Sequence, residues 1–227
     1  IKFDKNNYIA RMALFGQNDI IEVGFEGNNL RFWTTRGTVD LPLSSFPAGY
    51  TWNHIAVTAD ASSMKIYLNG GTPISTTVSA TNYGSNSNTT KMGYGVMDNA
   101  GVGLTGEIFK LGVWNRALTG TEISTLASGF VDYDASQNGL ISGYSFNEGT
   151  GSTLYGVGSA ATNGTLIGSP SPVWTDPYTY SWTSTPPGFT SSSKNLTGLT
   201  NRTYNLVTSL TTCTNSGSWT VNPKTWT

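Results

Sequence analysis

Asp19, Glu22 and Glu26 are the acidic residues whose type and spacing come nearest to hydrolytic chemistry. Two carboxyl groups about 5 to 9.5 Å apart can divide the acid, base and nucleophile roles of glycoside hydrolysis. Glu22 and Glu26 share a face if this stretch is a strand, but at about 3.3 Å per residue their backbones stand roughly 13 Å apart. They are read as solvated strand charges. His54 and Cys213 are the chain's single histidine and single cysteine, so a nucleophile–histidine–acid set would have to include His54, and a zinc site lacks its usual ligands. His54 lies between Trp52 and Ile55 in a strand-like run and is read as a packed, hydrogen-bonded sheet histidine. Calcium suits the oxygen-rich loops better. Asp98 and Asn99, in the loop Tyr94 to Gly101 (YGVMDNAG), are the candidate metal ligands and also candidate ligand contacts. The polar stretch Thr81 to Thr90 (TNYGSNSNTT) adds Asn82, Asn86 and Asn88 and is expected to be a mobile loop. Trp33 could present a ring for sugar stacking, with neighbouring amides binding hydroxyls; core packing is its alternative role. Sequons at Asn88, Asn163, Asn195 and Asn201 are what a Thr- and Asn-rich chain produces by chance.

These residues need elements to hold them, and the chain reads as all-β. Of its 227 residues only 11% are charged and 12% are aromatic, a balance typical of turn-rich β proteins exposed to solvent. The net charge of −1 leaves no footprint for nucleic acid. No apolar run approaches the roughly 18 residues of a membrane span. An extracellular, cell-surface location is expected, with stability supplied by packing because one cysteine closes no internal disulfide. The start at Ile1 reads as that of a clipped or partial product, so the chain is expected to belong to a longer chain or a larger assembly.

Ile20 to Phe25 (IIEVGF) and Leu30 to Thr34 (LRFWT) flank the turn residues 26–29, which predicts a hairpin. His54 to Ala59 and Met64 to Asn69 flank residues 60–63 and predict a second. Residues 106–126 (GEIFKLGVWNRALTGTEISTL) read as a strand followed by a short helix, because Thr119 and Glu122 form a capping box ahead of Ile123 and Leu126, with Gly129 placed to end it. A strand is expected over Leu140 to Phe146, with Leu140, Ser142, Tyr144 and Phe146 on one face, and another over Thr165 to Ile167. Pro170, Pro172 and Pro177 mark a boundary. Residues 1–174 form the first domain and 175–227 a small second β-sandwich, with 223–227 opening a further linker. Thr179 to Thr183, Thr203 to Thr208 and Gly217 to Val221 are the second domain's expected strands. Trp182 is expected to fill its core, and the Tyr204 hydroxyl to bond backbone across its end as a tyrosine corner.

Four blocks now carry a resemblance. Trp52-Asn-His54-Ile-Ala-Val-Thr58, Lys65-Ile-Tyr-Leu-Asn-Gly70, Lys91-Met-Gly93, and Gly106-Glu-Ile108 with Trp114-Asn-Arg-Ala-Leu118 and Glu122-Ile123 stand in the order found in laminin-G-like, concanavalin-type domains of the pentraxin-like branch. The resemblance covers residues 1–174. It implies a two-sheet jelly roll whose edge is covered by the short helix, with Trp52 and Trp114 as core residues. It also implies that the first strands lie upstream of Ile1, leaving a core to be closed by other sequence or another chain. The acidic motif Glu-x-Asp-x-x-Glu of glycoside hydrolases on this fold does not occur here. Where many relatives carry Gly-x-Ile-Asp-Glu, this chain has Gly106-Glu-Ile-Phe-Lys110, although calcium binding is frequent in the family.

The second domain resembles the immunoglobulin-like repeats of large secreted bacterial adhesins, including those of gliding bacteria. The carriers are Tyr180-Ser-Trp182, Gly188-Phe189, Asn195-Leu-Thr-Gly-Leu199, Thr203-Tyr204 and Cys213, with Arg202 in place of the usual glycine. Together the resemblances imply a non-catalytic fragment of a secreted adhesin that binds surface glycans or proteins. The alternatives are an accessory carbohydrate-binding module of a secreted carbohydrate-active enzyme, or a structural spacer.

Overall fold

The computed structural model describes residues 1–8, 11–80, 82–94, 96–97, 103–129, 132–168, 172–176, 178–200, 202–210 and 219–220. The chain divides into two compact units, Ile1–Pro172 and Val173–Thr227.

In the first unit the strands are β1 (Lys2–Asp4), β2 (Ala13–Gln17), β3 (Ile21–Glu26), β4 (Asn29–Thr34), β5 (Gly37–Pro42), β6 (Tyr50–Trp52), β7 (Ile55–Ala59), β8 (Ser63–Leu68), β9 (Ile74–Thr77), β10 (Lys91–Met92) and β11 (Leu111–Trp114). A helix, α1 (Gly120–Ser128), is followed by β12 (Leu140–Tyr144), β13 (Thr153–Leu154) and β14 (Gly164–Thr165). Antiparallel pairing gives a five-stranded sheet in the order β10-β2-β3-β4-β5 and a three-stranded sheet β7-β8-β9. The pairs β1-β6, β11-β12 and β13-β14 complete it among the described residues. Period-two alternation decides what goes inside. Val23, Phe25, Leu30, Phe32, Val39 and Leu41 of the five-stranded sheet share one buried cluster with Met64 and Ile66 of β8, and Ile55 and Val57 of β7 pack against it. The all-β sandwich expected from the sequence is present.

Phe3 and Phe46 enter the same cluster, with Phe3 4.8 Å from Phe25 and 5.3 Å from Phe46 between ring centroids. Phe3, Phe25 and Phe46 are each no more than 2% exposed. β11, at the end of the matched motifs, takes β12 as its partner, with Gly112 opposite Gly143.

The hairpins form where turn chemistry predicts them. β3 and β4 close around Gly27 and Asn28, with Gly27 at φ +56°, the conformation a two-residue loop asks of its first residue. Asp60 accepts the backbone N–H groups of Ser62 and Ser63, both at 2.8 Å, and so fixes the turn between β7 and β8. The capping box of α1 is made in both directions: Thr119 Oγ1 accepts from the Glu122 N–H, and the Thr119 N–H donates to Glu122 Oε2. Ile123 is fully buried, and Ser124 and Ala127 close on Gly70. β12 is shorter than expected, because Phe146 turns to φ +51° and leaves the strand direction. β14 likewise ends at Thr165, and Ile167 is 74% exposed. Trp52 and Trp114 are half-buried, each edge-on to another ring: Phe109 at 5.7 Å and Tyr133 at 5.9 Å.

The second unit is one sheet among the described residues, in the order β16-β15-β17-β18: β15 (Tyr178–Thr185), β16 (Thr190–Ser191), β17 (Thr203–Leu210) and β18 (Trp219–Thr220). Tyr204 is its buried aromatic, 5% exposed. Its hydroxyl donates to the Thr200 carbonyl at 3.2 Å and accepts the Thr200 N–H at 3.0 Å, the backbone bond expected of a tyrosine corner. Trp182 differs from expectation. It is half-buried and is fastened by its indole N–H to the Ser193 carbonyl at 2.9 Å. Arg202 caps the turn of Pro186 and Pro187, donating to both carbonyls at 3.2 Å. Cys213 and residues 223–227 lie outside the described residues.

Candidate functional site: a charged hollow with one tryptophan

The face of the five-stranded sheet that points away from the core carries the residues that alternate with it. Register sets Glu22 opposite Trp33, Gly24 opposite Arg31, and Arg31 opposite Asp40. Two glycines leave room above this face. A Cβ on Gly24 would stand 2.7 Å from Met97 Sδ, and one on Gly16 would stand 2.7 Å from Val96 Cγ1. Val96 and Met97 lie over these bare positions and form a small second core with Ala13. Beside them is a hollow of about 290 Å³ lined by Arg11, Asp19, Glu22, Glu26, Arg31, Trp33 and Met97.

Its charges are held in place by one another. Arg31 grips Asp40 through two parallel bonds, Nε to Oδ1 and Nη2 to Oδ2, both 2.8 Å. The bonds to Asp40 raise the guanidinium's pKa. Arg11 stands 3.9 Å from Glu26. Glu22 departs from its reading as a solvated strand charge: it is 8% exposed, and its Oε1 accepts the Asp19 N–H at 3.0 Å. The turn carrying Asn18 and Asp19 folds back over it, which alternation along the strand cannot reveal. The Asn18 amide donates to Asp19 Oδ2 at 2.6 Å. The indole N–H of Trp33 has no acceptor among the described residues.

The asparagine loop is docked. Gln17 donates to the Asn86 carbonyl at 3.2 Å and to that of Asn88 at 2.5 Å. The Asn86 and Asn88 amides donate to the Asn18 carbonyl at 2.9 and 3.2 Å. These two residues therefore brace the turn that supplies Asp19. The Asn82 carbonyl accepts from Arg36 Nε at 3.0 Å, and Tyr83 donates to the Asp60 carbonyl at 2.6 Å. Of the expected ligand contacts among the described residues, Trp33 is the one that lines the hollow. Asp98 and Asn99, the expected calcium ligands, lie outside the described residues; the residue before them in sequence, Met97, forms part of the wall. Among the described residues no group of three His, Cys, Asp or Glu side chains is placed to hold a metal. Arg11, Arg31 and Met97 were not singled out by the sequence; the usable signal was Arg31 and Trp33 alternating with the buried Leu30 and Phe32.

His54 stands apart, immediately before β7. Its Nδ1 is buried with no hydrogen-bond partner among the described residues, which corrects the expected hydrogen-bonded ring. Burial lowers its pKa to about 4.

The comparison with known families agrees with this two-sheet β-sandwich. The family described as the concanavalin A-like lectin/glucanases superfamily matches residues 1–124, and the chain belongs to it. In the two further comparisons no curated protein and no solved structure matches the chain. Among the described residues no helix is long and apolar enough to cross a membrane.

Proposed function

We propose that the chain is a non-catalytic fragment of a secreted, multidomain bacterial cell-surface adhesin of the gliding-motility type, and that its first unit recognises glycans. The observation that carries the glycan-recognition reading is Trp33 in the wall of a hollow lined by carboxylates and guanidiniums, in a domain of the lectin/glucanase superfamily. A pyranose has an apolar C–H face for such a ring and hydroxyls for such acceptors. A binding role is favoured over hydrolysis because the acidic strand motif Glu-x-Asp-x-x-Glu of glycoside hydrolases on this fold does not occur in the chain. The Tyr204–Thr200 bond supports an immunoglobulin-like reading of the second unit. Calcium, if used, would involve Asp98 and Asn99.

A glycan array followed by calorimetry on the best hit tests the reading. Trp33→Ala is expected to weaken binding at least tenfold, about 1.4 kcal/mol, with the circular dichroism spectrum unchanged. Unchanged affinity would remove the hollow from the proposal, and release of reducing sugar from the bound glycan would overturn the non-catalytic assignment. A glycosidase domain elsewhere on the same polypeptide would make the chain an accessory module.

A further inference from the structure

We infer that the hollow selects neutral glycans and rejects anionic ones, an inference that rests on the glycan-recognition reading of this same site. Each of its two cations faces a carboxylate. Arg31 spends Nε and Nη2 on the two oxygens of Asp40, and Arg11 stands 3.9 Å from Glu26. Asp19, Glu22 and Glu26 bring three carboxylates to the lining against two guanidiniums. A sulfate or uronate entering here meets net negative charge, and would have to displace Asp40 to win a bidentate grip from Arg31.

A neutral sugar meets the opposite situation. Ionised carboxylates are pure acceptors, so the lining is matched to hydroxyl donors. Glu22 is held in position by the Asp19 N–H at 3.0 Å, so one of its oxygens is fixed before any ligand arrives. The indole N–H of Trp33, without an acceptor among the described residues, adds a donor for a ring or hydroxyl oxygen. Hydroxyl donors, a C–H face and no charge describe an uncharged hexopyranoside.

The test uses the full chain and two sets of probes at 50 and 300 mM NaCl: neutral polysaccharides (a β-glucan, a mannan and a galactan) and anionic ones (heparin and alginate). Affinity electrophoresis ranks them and calorimetry measures the best. The expected result is that a neutral polymer binds with little change between the two salt concentrations, while the anionic polymers bind at least tenfold more weakly. Asp19→Asn keeps shape and suits the residue's φ of +63°, and it should weaken the neutral ligand severalfold. Glu22→Gln should do so more strongly, and Asp19→Asn serves alone if that buried change unfolds the protein. Tighter binding of heparin or alginate, falling with salt, would overturn this inference and leave glycan recognition standing. Binding of neither class would overturn both.

Discussion

At the scale of single residues, His54 shows how burial becomes a measurable pH dependence. Its backbone is well served: the N–H donates to Asn69 Oδ1 at 2.8 Å and the carbonyl accepts the Asn69 N–H at 2.8 Å. Its imidazole is not, and the folded pKa falls to about 4, chiefly through burial. Between the ordinary value near 6.5 and this lowered one, the unfolded chain binds the extra proton. The contribution is therefore complete above pH 6.5 and is lost as pH falls toward 4. Urea titrations at pH 7, 6 and 5 should show about 2 kcal/mol lost by pH 5, and His54→Gln should flatten that slope. The window is clean, because the lowered carboxylates Asp60 and Glu122, both at about 2, contribute below pH 5. An unchanged slope in the variant would assign the titration to another group. Sequence placed His54 in a strand-like run from its neighbours alone, and it identified Trp33 as a ring that could face a ligand. It could not show the missing partner of His54 or the burial of Glu22, since both depend on chain segments that are remote or that fold back.

At the scale of elements, what was legible is what neighbouring residues decide. The capping box of α1 lies within four residues, and the β3-β4 and β7-β8 hairpins are set by turn residues between alternating runs. The neighbour relation of β10 and β2 is not local, and β16, of two residues, carries no periodicity to read. The β11-β12 pair combines both situations. Its strands could be read, but not the reason for their glycines. Gly112 and Gly143 are opposite one another, and the Tyr133 ring lies on the bare backbone they leave. A Cβ on Gly143 would stand 2.5 Å from Tyr133 Cγ, so Gly143→Ala must push the ring away from a site where burial has raised its phenol pKa to about 12. Overpacking of this kind costs about 1–3 kcal/mol. A urea titration should show that loss, whereas Gly120→Ala, with nothing within 4 Å of the new methyl at the start of α1, should be neutral or slightly stabilising. Equal effects of the two substitutions would mean that Tyr133 is not seated on the glycine pair.

At the scale of the whole molecule, the family match and the physical unit end at different places. The match stops at residue 124, within α1, whereas the first compact unit runs to Pro172. The residues between belong to the same compact unit. β12 pairs with β11, and Gly143 and Val157 exchange N–H···O bonds of 2.6 and 2.9 Å. The Ser159 N–H returns to the Leu140 carbonyl at 3.0 Å, while Leu140 and Leu154 are 1% and 5% exposed. A chain cut at residue 124 would lose half of α1 and present the edge of β11 to solvent, with unpaired backbone donors and acceptors that favour association. Fragment 1–172 is therefore expected to melt in one cooperative transition and to retain the glycan affinity of the full chain, because every residue that lines the hollow lies within it. Fragment 1–124 is expected to aggregate or to lack near-ultraviolet circular dichroism from Trp52 and Trp114, although it holds the same hollow residues. A fragment 1–124 as stable as 1–172 would show that β12 to β14 are an appendage, and that the sandwich is closed by the matched residues alone.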